Sequence, residues 1–342
     1  MTGHVRSPVK LAIIAREVGV SVSTVSKVIN GRADVAAATR ARVREALARH
    51  AYPLEPSRTR DAKVGSALLD VVIHELDSAW AATILTEVER AAAAQGLNIV
   101  VSTVQTELPT PVPPRRWLDQ VAARGACGVL GILVDLTRAQ VDYLTDAAIP
   151  CVVIDPAVRL DPPVTTVHLS NHHSQYRLIE HLISLGHRDI AVVSGNPLSL
   201  PAQERLEGFR AAMADAGLAV RPEWCREGGF SRTGSHEAMT ELMALEERPT
   251  AVAFASDKGA LGGLAAANRL GLKVPEDVSI TGFDDIPDAK TAMPPLTTVR
   301  QPVRELVEEA IRRITAEDSG GRIVCEAEPV IRASTAPPTT PS

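Results

Sequence analysis

The sequence predicts an N-terminal all-α helix-turn-helix head followed by an α/β body of two doubly wound parallel-sheet lobes. Residues 10–30 place apolar side chains at helical spacing on both sides of a glycine turn. From residue 68 onward, short β-branched runs alternate with helical segments in two consecutive sets. The charge also divides the chain, because residues 1–63 carry 12 Lys and Arg against 5 Asp and Glu, whereas the remainder carries 24 against 36.

Composition places the boundaries between these parts. The predicted head covers residues 1–54, a charged linker covers 55–64, and the two-lobed body covers 65–334. The tail at 335–342 is rich in proline and threonine, and we expect it to be disordered. Since 45% of the 342 residues are hydrophobic, the body has enough apolar side chains for a substantial core.

The head begins with a predicted helix whose apolar face carries Ile13, Ile14 and Val18. Gly19 follows at the point where the chain must bend sharply. Ser21 then offers its side-chain oxygen as the N-cap of a second helix. The order helix, glycine turn, capped helix is the pattern of a helix-turn-helix.

The second helix combines a buried face with an exposed polar one. Val25 and Val28 are predicted to face the core, and the outward positions are Val22, Ser23, Ser26 and Lys27. Short polar side chains followed by a lysine suit insertion into the major groove of DNA. An ordinary αα-hairpin inside a core has the same pattern, so the motif alone leaves both interpretations open.

The charge of the head favours nucleic acid as its partner, because the head is basic (+7) and the rest of the chain acidic (−12). Basic side chains after the second helix are Arg40, Arg42, Arg44, Arg49, Arg58, Arg60 and Lys63. For the third-helix arginines alone a solvated basic face is the favoured interpretation. Together with the helix-turn-helix, the charge favours DNA binding.

The body is predicted to contain two β–α–β sets. The strands of the first set are 68–73, 98–103, 128–134 and 151–154, and its helices are 81–95, 115–124 and 138–147. The second set has strands 189–194, 251–255 and 278–282, with helices 174–185, 204–216 and 259–270. Strands this apolar belong to parallel sheets covered on both faces, and such sheets bind ligands beyond the carboxyl ends of their strands. We therefore expect a cleft between two similar lobes.

Catalytic and metal motifs are missing from the sequence. It has no Walker loop, no G-x-S-x-G and no G-x-G-x-x-G after a strand, and its four cysteines lack the paired spacing of a zinc site. His172 and His173 have no third ligand at a suitable spacing, and His187 with Arg188 follows a helix end, where structural use is favoured. We expect no catalytic residue, no metal and no cofactor.

Targeting segments are also missing from the sequence. No apolar run follows Met1, and no segment is long and apolar enough to cross a bilayer. We expect a cytoplasmic protein without a membrane partner.

Six further motifs, in order along the chain, give a resemblance to the LacI-type (LacI/GalR) bacterial transcriptional regulators. These are IAREVGVSVSTVSKVING, HLISLGHRDIAVVSG, RLEGFRAAMADAGL, TAVAFASDKGALGGL, GLKVPEDVSITGFDD and PPLTTVRQP. The resemblance extends from about Val9 to Arg332. It implies a periplasmic-binding-protein-like body in which a bound effector changes how the head grips its DNA operator.

The resemblance implies particular DNA contacts in the head. Val22 and Ser23 match base-reading positions, and Lys27 stands where the family usually has arginine. Thr24 and Ser26 match phosphate contacts, with an ordinary helix surface as the alternative. The predicted DNA-binding residues are Ser21, Val22, Ser23, Thr24, Ser26, Lys27, Asn30, Arg58 and Arg60.

The resemblance also implies an effector site in the cleft. Arg205 matches the arginine of the family R-x-x-G-F motif, and Asp257 and Asp284 follow predicted strands. Strand-end carboxylates accept hydrogen bonds from sugar hydroxyls. An aromatic ring such as Trp80 or Phe230 can stack on a sugar face or belong to the core, and both alternatives stay open. The predicted effector-binding residues are Asp77, Trp80, Asn171, Arg205, Phe230, Asp257 and Asp284.

The chain departs from the family pattern at three places. The linker lacks the leucine that wedges into the minor groove, so basic contacts through Arg58 and Arg60 are the expected substitute. Ala36 replaces the usual serine cap of the third helix. His173-Ser174 replaces a small glycine after Asn171, which predicts an unusual effector specificity.

Together these features predict a homodimeric repressor of a double-stranded DNA operator, located in the bacterial cytoplasm and on the nucleoid when bound. Its expected effector is a sugar or polyol, with a purine or another non-sugar molecule as the alternative. A sugar-binding protein or a sugar-processing enzyme is the alternative from another class. The basic head disfavours the former, and the lack of a nucleophile–base pair disfavours the latter.

Overall fold

The computed structural model describes residues 11–29, 36–50, 67–104, 111–158, 160, 164–316 and 321–339. The chain divides into two compact units, residues 1–65 and 66–342. Three of the predicted DNA-binding residues, Asn30, Arg58 and Arg60, lie outside the described residues. Within the described part of the chain, no helix is both long enough and apolar enough to cross a membrane.

The first unit is a three-helix head around a small aliphatic core. Its helices are α1 (Leu11–Val18), α2 (Val22–Ile29) and α3 (Ala37–Arg49). The core side chains are Ile14, Ala15, Val18, Val25, Val28, Val43, Ala46 and Leu47. The buried valines of α2 confirm its predicted core face. Ile13 differs from the prediction, since it is 52% exposed. It lies about 100° around the helix from Ile14 and so falls outside the buried stripe.

Hydrogen bonds and ion pairs tie α3 to α1 and fix the start of α2. The Ser21 hydroxyl accepts from the backbone N–H of Thr24, as expected for an N-cap. Arg42 donates to the carbonyl of Val18 at the end of α1, and Arg49 pairs with Glu17 at 2.9 Å. These two arginines therefore have a structural role in the head.

The second unit contains two lobes. The first part of the chain supplies β1 (Ala67–Ile73), α4 (Ala79–Ala94), β2 (Leu97–Thr103), α5 (Arg115–Arg124), β3 (Gly128–Ile132), α6 (Arg138–Asp146), β4 (Cys151–Ile154) and β5 (Thr165–Leu169). The middle part supplies α7 (Asn171–Ser184), β6 (Ile190–Ser194), α8 (Leu200–Asp215), β7 (Cys225–Glu227), α9 (Arg232–Met243), β8 (Ala251–Phe254), α10 (Asp257–Arg269) and β9 (Ser279–Thr281). The last part supplies α11 (Pro287–Thr291), β10 (Thr298–Arg300), α12 (Val303–Thr315), β11 (Arg322–Cys325) and β12 (Glu328–Val330).

The first lobe is a parallel sheet with strand order β11-β5-β4-β3-β1-β2. Its core includes side chains of α4 and, from the end of the chain, of α12. Strand β11 pairs in parallel with β5, with Arg322 opposite Thr166. The sequence prediction includes neither α12 nor β11. The helical spacing of the apolar residues in α12 could have identified that helix, but nothing local indicates that the chain returns to the first lobe.

The second lobe is a parallel sheet with strand order β7-β6-β8-β9. Helix α10 packs closely on α9, because a Cβ on Gly262 would lie 2.2 Å from the carbonyl oxygen of Arg232. It also packs closely on the sheet, because a Cβ on Gly263 would meet the ring of Phe254. These glycines therefore serve helix packing. The chain passes between the lobes after β5, between β9 and α12, and after β11, so the cleft is bordered by several chain crossings.

The C-terminal tail differs from the expectation of disorder over residues 335–339. The backbone N–H of Ala336 donates to the Ser279 hydroxyl at 3.1 Å, and its carbonyl lies 2.9 Å from His187 Nε2. The Thr335 hydroxyl is 3.1 Å from His181 Nε2. Short polar residues with free backbone groups can bond to a sheet edge even where the composition suggests a flexible tail. His187 is thus buried in a structural network, as the sequence indicates.

Candidate functional site

A cavity of about 490 Å³ lies between the two lobes of the body. The first lobe contributes the segment after β1, from His74 to Ala81, and the second lobe contributes residues at the starts of α8 and α10. Five predicted effector-binding residues line this cavity: Asp77, Trp80, Arg205, Phe230 and Asp284. The structure therefore brings residues from distant parts of the sequence to one site at the carboxyl ends of the strands.

Arg205 on α8 is held rigidly at the wall of the cavity. Its Nε donates to Asn171 Oδ1 at 2.9 Å, and its Nη1 donates to the Ala255 carbonyl at 2.5 Å. The guanidinium lies 3.7 Å from the centre of the Phe283 ring, within cation–π distance. Burial lowers the pKa of Arg205 below its ordinary value, although nearby carboxylates oppose the change. Arginine keeps its charge even so, and Arg205 is a fixed, preoriented cation.

Asp284 is the anionic partner of Arg205 and is connected to the first lobe. The two side chains are 3.5 Å apart, and Asp284 Oδ1 accepts from Gln301 Nε2 at 2.6 Å. Gln301 Oε1 in turn accepts from the indole N–H of Trp80 at 3.0 Å. Burial raises the pKa of the Asp284 carboxyl, while Arg205 opposes the rise. A continuous polar path thus runs from Arg205 to Trp80.

Two of the predicted effector-binding residues, Asp257 and Asn171, do not line the cavity. The buried Asp257 carboxylate accepts from the Thr298 hydroxyl at 2.5 Å and from the Ile286 N–H at 2.9 Å. It therefore holds the loop that carries Asp284. Asn171 is buried beside Arg205 and orients its guanidinium. Both residues support cavity residues from behind.

The structure places both aromatic residues at the cavity and also places Trp80 against the core. Trp80 lines the cavity and also packs against the hydrophobic cores of both lobes. Phe230 lines the cavity with its ring directly above Gly195, where a Cβ would lie 2.1 Å from the ring. Asp285, beside Asp284, pairs with Arg300 and Arg332 and so has a structural role.

Backbone strain is concentrated around the cavity. Of the six described non-glycine residues with positive φ, four line the cavity: Leu133 (52°), Asp155 (42°), Phe230 (57°) and Asp284 (124°). The other two are Ala148 (53°) and Asp285 (55°). Such conformations each cost of order 1–3 kcal/mol and persist where the surrounding structure enforces them. The surrounding structure therefore fixes the backbone at these four positions of the cavity wall.

Asp155 and Gln301 are two polar cavity residues that sequence reasoning missed. Asp155 follows β4 directly, so the strand-end argument that selected Asp284 could also have selected it. Burial raises the pKa of the Asp155 carboxyl to about 7. Gln301 follows the short strand β10 and lies within the PPLTTVRQP motif, which is the signal that could have identified it. Among the residues that the structure describes, no cluster of His, Cys, Asp and Glu could hold a metal ion.

The head presents the second predicted site. Val22 at the start of α2 is exposed, and Thr24 is half-buried with its hydroxyl 2.8 Å from that of Ser21. Ser23, Ser26 and Lys27 lie on the same helix. An exposed N-terminal end of the second helix is the geometry with which helix-turn-helix proteins approach base edges.

Two family profiles match the chain. The profile described as "Bacterial regulatory proteins, lacI family" matches residues 10–53, and the profile "Periplasmic binding protein-like domain" matches residues 179–335.

Curated relatives cover nearly the whole chain. The HTH-type transcriptional repressor PurR of Haemophilus influenzae (strain PittEE) is 33% identical over 332 residues, which is 94% of this chain and 97% of the relative. The repressor of the same name from Actinobacillus pleuropneumoniae serotype 3 (strain JL03) is 34% identical over 84% of each chain.

Solved structures agree with the sequence matches. The transcriptional regulator CelR–cellobiose complex aligns with a TM-score of 0.70 at 29% identity, covering 95% of this chain and 99% of its own. The lac repressor dimer bound to operator and the anti-inducer ONPF aligns with a TM-score of 0.69 at 26% identity, covering 96% and 100%. The chain therefore belongs to the LacI family and is an effector-controlled, DNA-binding transcriptional repressor, not an enzyme.

Proposed function

We propose that the effector is an uncharged carbohydrate of one or two sugar units, bound in the interlobe cavity of a homodimeric repressor. One observation carries the proposal: Arg205 and Asp284 form a rigid polar pair at a cavity that Trp80 and Phe230 also line. A carboxylate beside a guanidinium matches the acceptors and donors of a sugar hydroxyl, and aromatic rings match the apolar faces of a sugar ring.

The charge of the cavity favours a neutral ligand over an anionic one. Four carboxylates line it, from Glu75, Asp77, Asp155 and Asp284, whereas its cations are Arg205 and Lys258. Arg205 already donates to Asn171 and Ala255, and Lys258 lies 3.7 Å from Asp77. A phosphate or carboxylate on the effector would face net negative charge. The volume of the cavity, about 490 Å³, is within the usual range for small-molecule sites.

The relatives named PurR support a purine as the alternative effector. A planar base could stack on Trp80 or Phe230 and pair with Asp284. The carbohydrate is favoured because the cavity is lined by many hydroxyl-binding groups, and because a CelR–cellobiose complex is among the similar structures.

Control of DNA binding follows from the position of the cavity between two lobes. A ligand that contacts both walls favours the lobe arrangement in which both contacts exist. It can shift the populations of the two arrangements only as far as its affinities for them differ. Each helix-turn-helix reads one half-site, so a homodimer and a near-palindromic operator are the expected assembly.

Calorimetric titration of the full-length protein tests the effector class. The ligands are glucose, cellobiose, glucose 6-phosphate and hypoxanthine. Binding of a neutral sugar, with no binding of glucose 6-phosphate, supports the proposal. Binding of hypoxanthine alone would replace it with the purine alternative, and preferred binding of the phosphate would contradict the charge argument.

The reading role of Ser23 can be tested on DNA sequences selected from a random duplex pool. We expect an inverted repeat, and we expect Ser23→Ala to lose roughly 1 kcal/mol of base discrimination at one position of each half-site. Binding to non-specific duplex serves as the control and stays nearly unchanged. An equal loss on all sequences would assign Ser23 to the phosphate backbone instead.

A further inference from the structure

A second interlobe polar contact lies behind the cavity. Glu204 on α8 belongs to the second lobe, and Arg322 on β11 belongs to the sheet of the first lobe. Glu204 Oε1 accepts from Arg322 Nη2 at 3.0 Å. We call this ion pair the hinge pair. It joins the lobes near the point where the chain leaves β5 for α7.

The hinge pair is also connected to the effector site. Glu204 Oε2 lies 3.5 Å from Asn171 Nδ2, and Asn171 Oδ1 accepts from Arg205. The path continues from Arg205 through Asp284 and Gln301 to Trp80. Contacts within 3.5 Å thus connect an interlobe ion pair to the cavity wall.

The burial of Glu204 makes its partner energetically important. The Glu204 side chain is 11% exposed, whereas that of Arg322 is 48% exposed. Separation of the two groups takes a charge-assisted hydrogen bond away from a nearly buried carboxylate, and such hydrogen bonds are stronger than those between neutral groups. The lobe arrangement that keeps Arg322 at Glu204 is therefore favoured over arrangements that separate them.

We propose that Glu204 is a positioning residue for the effector site, which acts on Arg205 through Asn171. Because Glu204 also pairs with Arg322 of the other lobe, the geometry of the cavity depends on the arrangement of the two lobes. This inference rests on the proposed placement of the effector at Arg205. The ion pair at the cavity mouth differs: Asp77 and Lys258 are 3.7 Å apart, with side chains 73% and 36% exposed, and such pairs contribute little.

Fluorine NMR of the full-length, effector-free protein carrying 5-fluorotryptophan tests the inference. The chain has three tryptophans. Trp80 lies at the end of the polar path, while Trp117 and Trp224 are buried within single lobes and serve as internal references. Trp80→Phe assigns the reporting signal. Since no effector is present, the result does not depend on the proposed carbohydrate.

We expect Glu204→Gln and Arg322→Ala to shift or broaden the Trp80 signal and to leave the Trp117 and Trp224 signals in place. Arg138→Ala is the matched control, because Arg138 is an exposed arginine paired with Asp142 within one helix of the first lobe. An unchanged Trp80 signal in both variants would overturn the inference.

A conservative variant separates positioning from a general loss of structure. Arg322→Lys keeps the cation at the hinge pair, so the Trp80 signal is expected to return toward its wild-type position. If Arg322→Ala moves all three signals and Arg322→Lys restores none of them, Arg322 supports the fold in general and the inference is wrong.

Discussion

The two walls of the interlobe cavity are built differently. On the second-lobe wall, Arg205 and Asp284 are nearly buried and fixed by several hydrogen bonds. On the first-lobe wall, Glu75 and Asp77 lie in the exposed segment between β1 and α4, and Asp77 is 73% exposed. The Arg205–Asp284 pair is preorganised for binding, whereas the exposed first-lobe segment with Glu75 and Asp77 is less constrained. We infer that the effector gains most of its affinity on the second lobe and that closure of the first lobe adds less.

Removal of Arg205 tests this difference with the largest expected effect. Arg205→Ala deletes a preoriented, charged donor, and such hydrogen bonds contribute about 1.5–3 kcal/mol, so effector affinity should fall by roughly 10- to 150-fold. Calorimetry measures the affinity. Operator binding without effector, measured by gel shift, is expected to stay unchanged. An unaltered effector response would remove Arg205 from the site.

Asp155 is a buried carboxyl group of the cavity wall, and its substitution tests how burial there makes the stability of the protein depend on pH. The pKa of Asp155 is raised to about 7, so the folded state binds more protons than the unfolded state between about pH 4 and 7. Stability contributed by this group therefore falls as the pH rises through that window. One pKa unit corresponds to about 1.4 kcal/mol. The free energy of unfolding of Asp155→Asn, relative to that of the wild type, should therefore rise by at least about 1 kcal/mol from pH 5 to pH 8.

Urea denaturation of both proteins at the two pH values measures that gain. A difference between Asp155→Asn and wild type that does not vary with pH would contradict the assignment. Asp77→Asn, at the exposed mouth of the cavity, is the control for loss of a cavity carboxylate.

Trp80 bridges the two walls, and its removal is expected to have an intermediate effect. Trp80→Ala deletes a stacking surface together with the hydrogen bond to Gln301. Aromatic contacts of this kind contribute about 0.5–1.5 kcal/mol, so effector affinity should fall by up to about tenfold. Trp80→Phe keeps a ring and should lose less, which titration of both variants would reveal. Equal losses would assign the effect to the hydrogen bond.

Asp77 is expected to have the smallest effect. Its ion pair with Lys258 is exposed, and exposed pairs contribute about 0–1 kcal/mol. Asp77→Ala should therefore change effector affinity by no more than about fivefold, and the change should shrink at high salt. A loss as large as that of Arg205→Ala would show that the two walls contribute equally.

The sequence was sufficient for elements whose identity depends on local pattern. Buried strands such as β1 and β4 lie where the β-branched runs predict them, and Asp284 and Arg205 lie at the cavity. Asp257 shows the limit, because it and Asp284 both follow strands. Only the packing of Thr298 and Ile286 against Asp257 determines which carboxylate faces away from the cavity.

Long-range pairing explains the other differences. Strand β11 joins β5 across more than 150 residues, and a register such as Arg322 opposite Thr166 leaves no local signal. The hydrogen bonds of the tail around Ala336 depend on Ser279 and His187 in the same way. Such features require the tertiary structure.

The return of α12 and β11 to the first lobe has a consequence for synthesis on the ribosome. Most of the first lobe emerges early, but its core lacks Leu306, Val307 and Ile311 until the chain is nearly complete. Strands β6 to β9 of the second lobe emerge before α12 does. A nascent chain stalled before residue 303 would therefore expose apolar sheet surface, which makes it a substrate for chaperones and prone to aggregation.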